Sequence, residues 1–244
     1  MTEREIILAS AKGELRDLET DENLMILINQ ENSDVVERLI AGDENYAGFN
    51  ETRRLIQAHK DDYEDLDEEQ CFKIVNQIAR ENSTRTSKVN CRLFAKYMIE
   101  HDFFEKVKEG KIEIVEEMLK GIKEYDSKAR RDKSLASKVC KYFNTFLFER
   151  NDFSINDSFV RSLLPYYLKQ YEVDESLWKT NKGKIKNLER VKYDTFISLI
   201  SELEAKIKIK SPNLNKNLID HVMWYGYKSD SIRFEIAKQL GKLS

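Results

Sequence analysis

Lys138 and Asp157 are the two residues of this 244-residue chain whose types and spacing suggest chemistry. They stand nineteen positions apart, in "SLASKV" and "SINDSFV". A neutral lysine amine can attack an electrophilic carbon and form a Schiff base. An ionised carboxylate can stabilise a cation that develops in a transition state. A free lysine titrates near about 10.4, so a lysine nucleophile needs burial or neighbouring cations. Lys133 and Lys141 are close in sequence, Lys141 about one helical turn away. Each residue also has a plainer role. A lysine near a helix start is commonly solvated, and an aspartate before an apolar periodic run is an N-cap.

Two helices and a loop must position this pair. Leu135, Val139, Tyr142, Phe143 and Phe146 recur at helical spacing and predict an amphipathic helix over 134–148. "ERNDFSIN" reads as a loop, and Asp157 as the cap of "SFVRSLLPYYL", with Pro165 about two turns in and expected to kink it. Upstream, "KIEIVEEMLKGIKEY" places Ile112, Val115, Met118, Leu119 and Ile122 on one face. The same period gives a buried stripe of Cys71, Ile74, Val75 and Ile78, and a stripe of Val89, Leu93 and Tyr97. "DENLMILINQ", "SDVVERLIAG", "YDTFISLISELEAKIKI", "NLNKNLIDHVMWYGY" and "SIRFEIAKQLGKL" also read as helices. "AKIKIKS" alternates but follows a helical pattern, so it is read as helix. The fold class is all-α, a multi-helix globular chain. An acidic N-terminal layer over 1–70 precedes a helical domain over 71–244, with a hairpin-like segment at about 111–168 and a linker at 172–186.

Composition narrows the function classes. Hydrophobic residues make up 41 % and charged residues 35 %, a globular balance. No apolar run approaches the roughly 20 residues that span a bilayer, and "MTEREIILAS" has acids where a secretory signal carries bases. The expectation is a cytoplasmic protein without a membrane partner. Cys71, Cys91 and Cys140 are widely spaced, as are His59, His101 and His221, so neither a disulfide framework nor a metal site is expected. No phosphate-cradling glycine motif and no GxSxG is present, and no cofactor is implied. The net charge of −3 is unevenly distributed. Residues 1–70 carry 20 Asp/Glu against 7 Lys/Arg, residues 120–141 carry 8 Lys/Arg against 3 acids, and residues 178–216 carry 10 against 4. The basic stretches suggest a polyanionic partner; the acidic N-terminal region suggests a protein partner.

Over about 45 residues, roughly 120–168, the chain resembles the helix-hairpin-helix DNA glycosylases, most of all the 8-oxoguanine DNA glycosylases. In that family a Gly-hydrophobic-Gly-Thr-Lys hairpin opens the helix of the nucleophilic lysine. A loop follows, and an aspartate then opens the next helix. "SLASKV" stands at the hairpin position and "SINDSFV" at the aspartate position, with similar lysine-to-aspartate spacing. Ser134 and Ala136 replace the two hairpin glycines, and Ile155 replaces a proline two positions before the aspartate. The resemblance implies a DNA glycosylase with AP lyase activity, acting on duplex DNA. Lys138 would be the nucleophile and Asp157 the electrostatic stabiliser. Arg130, Arg131, Lys133, Ser134, Ala136, Ser137 and Lys141 would contact nucleic acid. A flipped base would stack on Tyr142, Phe146 and Trp224, with Trp178 and Tyr225 also available. The alternative is a non-catalytic helical protein on the same scaffold, binding nucleic acid or a protein partner.

Overall fold

Side-chain caps fix where six of the described helices of this computed structural model begin. It describes residues 26–42, 48–82, 84 and 86–226. Eleven α-helices lie among them: α1 (Gln30–Gly42), α2 (Gly48–Gln57), α3 (Glu68–Glu81), α4 (Lys88–Glu100), α5 (Phe103–Glu109), α6 (Ile114–Tyr125), α7 (Lys133–Phe146), α8 (Ser158–Gln170), α9 (Glu175–Trp178), α10 (Tyr193–Lys208) and α11 (Lys216–Tyr225). Asp67 and Gln70 form a reciprocal capping box at α3, and Ser87 caps α4. Asp132 caps α7, Asp157 caps α8, Asp174 caps α9 and Asn215 caps α11. The described residues contain no strand beyond an isolated antiparallel bridge between Lys179 and Ile185. The all-α expectation therefore holds. "AKIK" is helical to Lys208. None of the described helices is long and apolar enough to cross a membrane.

The described chain divides into two compact units. One holds residues 26–42, 157–191 and 198–226; the other holds 48–156 and 192–197. The boundary expected near residue 70 falls inside the first turn of α3, which runs through it unbroken. The acidic layer expected over 1–70 is described only from residue 26, with 43–47 also outside the described residues. So is the helix expected over "SIRFEIAKQLGKL".

In the first unit α11 packs on α1 and α8, and α9 packs on α8. Tyr167 and Tyr171 donate their hydroxyls to the Ile26 and Ile28 carbonyls, which holds the non-helical segment 26–28 against α8. The helix expected over "DENLMILINQ" is thus replaced, in its described part, by non-helical chain until Gln30. Pro165 sits within α8, which continues to Gln170. The expected linker 172–186 contains α9 and the Lys179–Ile185 bridge, and it buries Trp178.

In the second unit α7 is the central helix. It contacts α2, α3, α5 and α6, while α4 packs along α3 and touches α5 and α6. Consequently α7 is buried on every side from Leu135 to Asn144, not along the single stripe that its periodicity suggests. Phe103, Phe104 and Phe143 form a mutually edge-on aromatic cluster beneath it. Gly121 of α6 is where Tyr97 of α4 crosses, since a Cβ there would overlap the tyrosine ring. The stripe Cys71, Ile74, Val75, Ile78 is buried as expected. Of the α4 stripe only Tyr97 is buried, with Leu93 half-buried. Val89 is 65 % exposed, and the buried face runs through Asn90, Cys91, Phe94, Ala95, Tyr97 and Met98.

All three cysteines are free and buried in this unit. Burial pushes the Cys71 thiol up to about 12, with help from Asp67 and Glu68, and the Cys91 thiol up to about 11, with help from Asp132. Burial alone raises Cys140. A thiol-labelling reagent is therefore expected to leave the native protein unmodified and to react with three thiols after denaturation. These thiols ionise first in the unfolded chain, where the group titrates near about 8.5. The stability they contribute is thus complete below that value. It falls as pH rises through the folded values of about 11 and 12. A thermal melt that does not decline across this alkaline window would contradict the assignment.

Candidate functional site

The turn between α6 and α7 is built from its own side chains. Asp126 accepts the Lys128 N–H, the Ala129 N–H returns to the Asp126 carbonyl, and Lys123 donates to the Ser127 carbonyl. Asn90 of α4 grips this turn at both polar groups of Arg130. Its amide donates to the Arg130 carbonyl at 2.8 Å and accepts the Arg130 N–H at 3.1 Å. Asp132 then closes the turn. Its carboxylate accepts the Leu135 N–H at 3.0 Å and the Thr86 hydroxyl. Lys128, Arg130 and Arg131 are exposed on this fixed backbone.

Lys133 opens α7 but is occupied, with its ammonium 3.4 Å from Glu116. Ser134 and Ala136, at the positions of the family's hairpin glycines, are already helical residues. No left-handed or glycine-specific conformation is needed there, so their replacement leaves the turn intact. Ala136 and Ser137 are fully buried, and Lys141 is 3 % exposed. These three were expected to touch nucleic acid; α7's central position puts them in the core instead. Arg130 and Arg131 are the expected contacts that present exposed charge.

Lys138 lies in the second turn of α7 and is 3 % exposed. Its ammonium donates to the Ser134 hydroxyl at 3.2 Å. Ser137, beside it, has a double role. Its hydroxyl donates to the Ser134 carbonyl and accepts the Asn156 N–H, each at 3.0 Å. This bond fastens the loop after α7 where it ends. Tyr193 fastens the same loop two residues earlier, donating to the Ser154 carbonyl and accepting the Ser154 N–H. The next peptide leads to Asp157, where the chain passes into the other unit. Its backbone is extended, and its carboxylate accepts the Val160 N–H at 3.0 Å, as an N-cap should.

The aromatic residues expected to receive a base are otherwise engaged. Tyr142 is buried, donates to Asn82 and stacks on Phe146 at 5.5 Å between ring centroids. The Arg53 guanidinium lies over Phe146 at 5.0 Å. Trp224 is half-buried on α11 in the other unit, while Trp178 and Tyr225 are buried core residues. Among the described residues no group of three or more His, Cys, Asp or Glu side chains is arranged to hold a metal ion.

Sequence reasoning missed Asp132, Asn90 and Ser137 as the residues that order the turn and the loop. Only Asp132 had a readable signal, an aspartate three residues before a buried leucine. The Ser137→Ala variant leaves the buried Asn156 N–H without its acceptor, and a loss of about 1–2 kcal/mol in a denaturant melt is expected. Ser137→Thr keeps a hydroxyl and is expected to retain more of that stability than alanine. An alanine variant as stable as the parent would show that the hydroxyl does not hold the loop.

No family model matches the chain, and neither a curated protein nor a solved structure does.

Proposed function

We propose that the protein is a DNA glycosylase with AP lyase activity, using Lys138 as nucleophile and Asp157 as electrostatic stabiliser. The observation that carries this reading is the Asn156 N–H to Ser137 hydroxyl bond. It ties the residue before the aspartate to the residue before the lysine. Both partners of this buried polar contact belong to one compact unit, and the contact fixes the end of the loop on α7. Three features add support. Lys138 is buried, the environment in which Schiff-base lysines are used. Asp157 stands at a helix start, where its side chain caps the first turn. The α6–α7 turn offers Lys128, Arg130 and Arg131 for phosphate on an anchored backbone.

In this mechanism the Lys138 amine bonds to C1′ of the target nucleotide as the N-glycosidic bond breaks, and the base leaves. The sugar passes through an oxocarbenium-like state whose positive charge the Asp157 carboxylate offsets. Loss of a proton from nitrogen and opening of the sugar give the Schiff base. β-Elimination then removes a proton from C2′, forms the C2′=C3′ bond and breaks the C3′–O bond, releasing the 3′ phosphate, and water hydrolyses the imine to free the lysine. Sodium borohydride reduces the Schiff base to a stable amine, so trapping on duplexes carrying an abasic site or an oxidised guanine tests the reading directly.

The second reading is a non-catalytic protein on a glycosylase-like scaffold. It is favoured by one observation: Ala136 and Ser137, at positions where the family meets phosphate, have no exposed surface. Duplex binding without any trapped adduct would select it.

A further inference from the structure

Residues 178–186 form a second basic element, and its construction is that of a rigid contact rather than a linker. The Lys186 N–H donates to the Trp178 carbonyl, the Thr180 N–H to the Lys184 carbonyl and the Gly183 N–H to the Thr180 carbonyl. Gly183 is left-handed at φ 72°. A tight turn followed by a left-handed glycine is a standard way to close a short hairpin, and the glycine supplies the backbone that other residues resist. The base of the turn is locked. Trp178 is 1 % exposed and donates its indole N–H to the Val173 carbonyl. The Lys186 ammonium donates to the Ser176 and Leu177 carbonyls at the end of α9. Lys179 pairs with Glu175.

Two lysines of the turn are thus structural, and Lys182 and Lys184 are exposed on either side of Gly183. Ile185 follows, 54 % exposed. We infer that this turn is a backbone-contacting element for duplex DNA, with Lys182 and Lys184 neutralising phosphates independently of base sequence. Lysine suits that task because it is a hydrated point charge without the planar fork that reads a base edge. A lipid surface fits less well. The exposed apolar side chains here are only Ile185 and, at the end of α9, Leu177, and the aromatic ring that would seat among headgroups is buried. The choice of DNA rests on the glycosylase reading; the turn and its charges do not.

The test uses the full chain and a fluorescent 20-base-pair duplex, titrated across a salt series. Replacing Lys182→Gln and Lys184→Gln together is expected to weaken binding at about 0.1 M salt by roughly 10-fold or more. The slope of log K against log salt should flatten by about 1.8, two contacts' worth. Lys182→Arg with Lys184→Arg keeps both charges and should bind like the parent. Unchanged affinity and slope in the glutamine variant would overturn the proposal. So would binding to phosphatidylserine vesicles without binding to the duplex. Borohydride trapping on the same samples separates the two ideas. Trapping with an unaffected glutamine variant removes the turn and keeps the enzyme. Salt-sensitive binding lost in the glutamine variant, with no trapping by the parent, removes the enzyme and keeps the turn.

Discussion

Lys138→Ala is expected to give no borohydride-trapped adduct and no strand nicking on a duplex with an abasic site. The parent should give both. In the proposed mechanism the step that forms the covalent bond needs the Lys138 amine, and the alanine variant has nothing to offer in its place. Loss of signal below one part in about 10⁴ corresponds to about 5 kcal/mol of transition-state stabilisation. The buried setting of the side chain calls for a second variant, because alanine also removes a packed stem. Lys138→Met keeps most of that volume without an amine and should fail equally in trapping. A circular-dichroism melt on each variant separates lost chemistry from lost fold. If Lys138→Ala still traps, another amine is the nucleophile and the assignment is overturned.

Asp157 was readable as a helix cap because a cap rests on a local rule, whereas the burial of Lys138 was not. Asp157 precedes an apolar periodic run, and its carboxylate does accept the N–H three residues on. What surrounds them was much less readable. The α7 periodicity gave one stripe, because Lys138, Lys141 and Asn144 are polar letters in a pattern of apolar ones. Contact with α2, α3, α5 and α6 buries them all, and a linear pattern carries no information about how many neighbours a helix has. Val89 shows the converse. It has the period and the hydrophobicity of a core residue, yet it lies in the first turn of α4 and is exposed. Ser137 was assigned to nucleic acid through the resemblance, whereas its hydroxyl is spent on Asn156, nineteen residues away. Asn90 grips Arg130 across forty positions. Such partnerships depend on the folded path of the chain.

Replacing Asp157 distinguishes a charge that acts on substrate from one that only ends a helix. Asparagine keeps a side-chain oxygen for the Val160 N–H, so Asp157→Asn should melt close to the parent. It removes the negative charge, and the oxocarbenium-like state then loses its electrostatic support. The single-turnover rate on a base-containing duplex should fall by about 10² or more, about 2.7 kcal/mol. Asp157→Ala loses cap and charge together, so the same fall in rate should come with about 1 kcal/mol of lost stability. The contrast between the two variants is the decisive measurement, since a mere helix cap predicts a different pattern. In that case Asp157→Asn is silent in every assay, and Asp157→Ala differs from the parent only in its melt. Asparagine with full activity would therefore confine Asp157 to capping α8. Lys138 would then lack an assigned counter-charge for the sugar cation, and the catalytic mechanism would need another carboxylate.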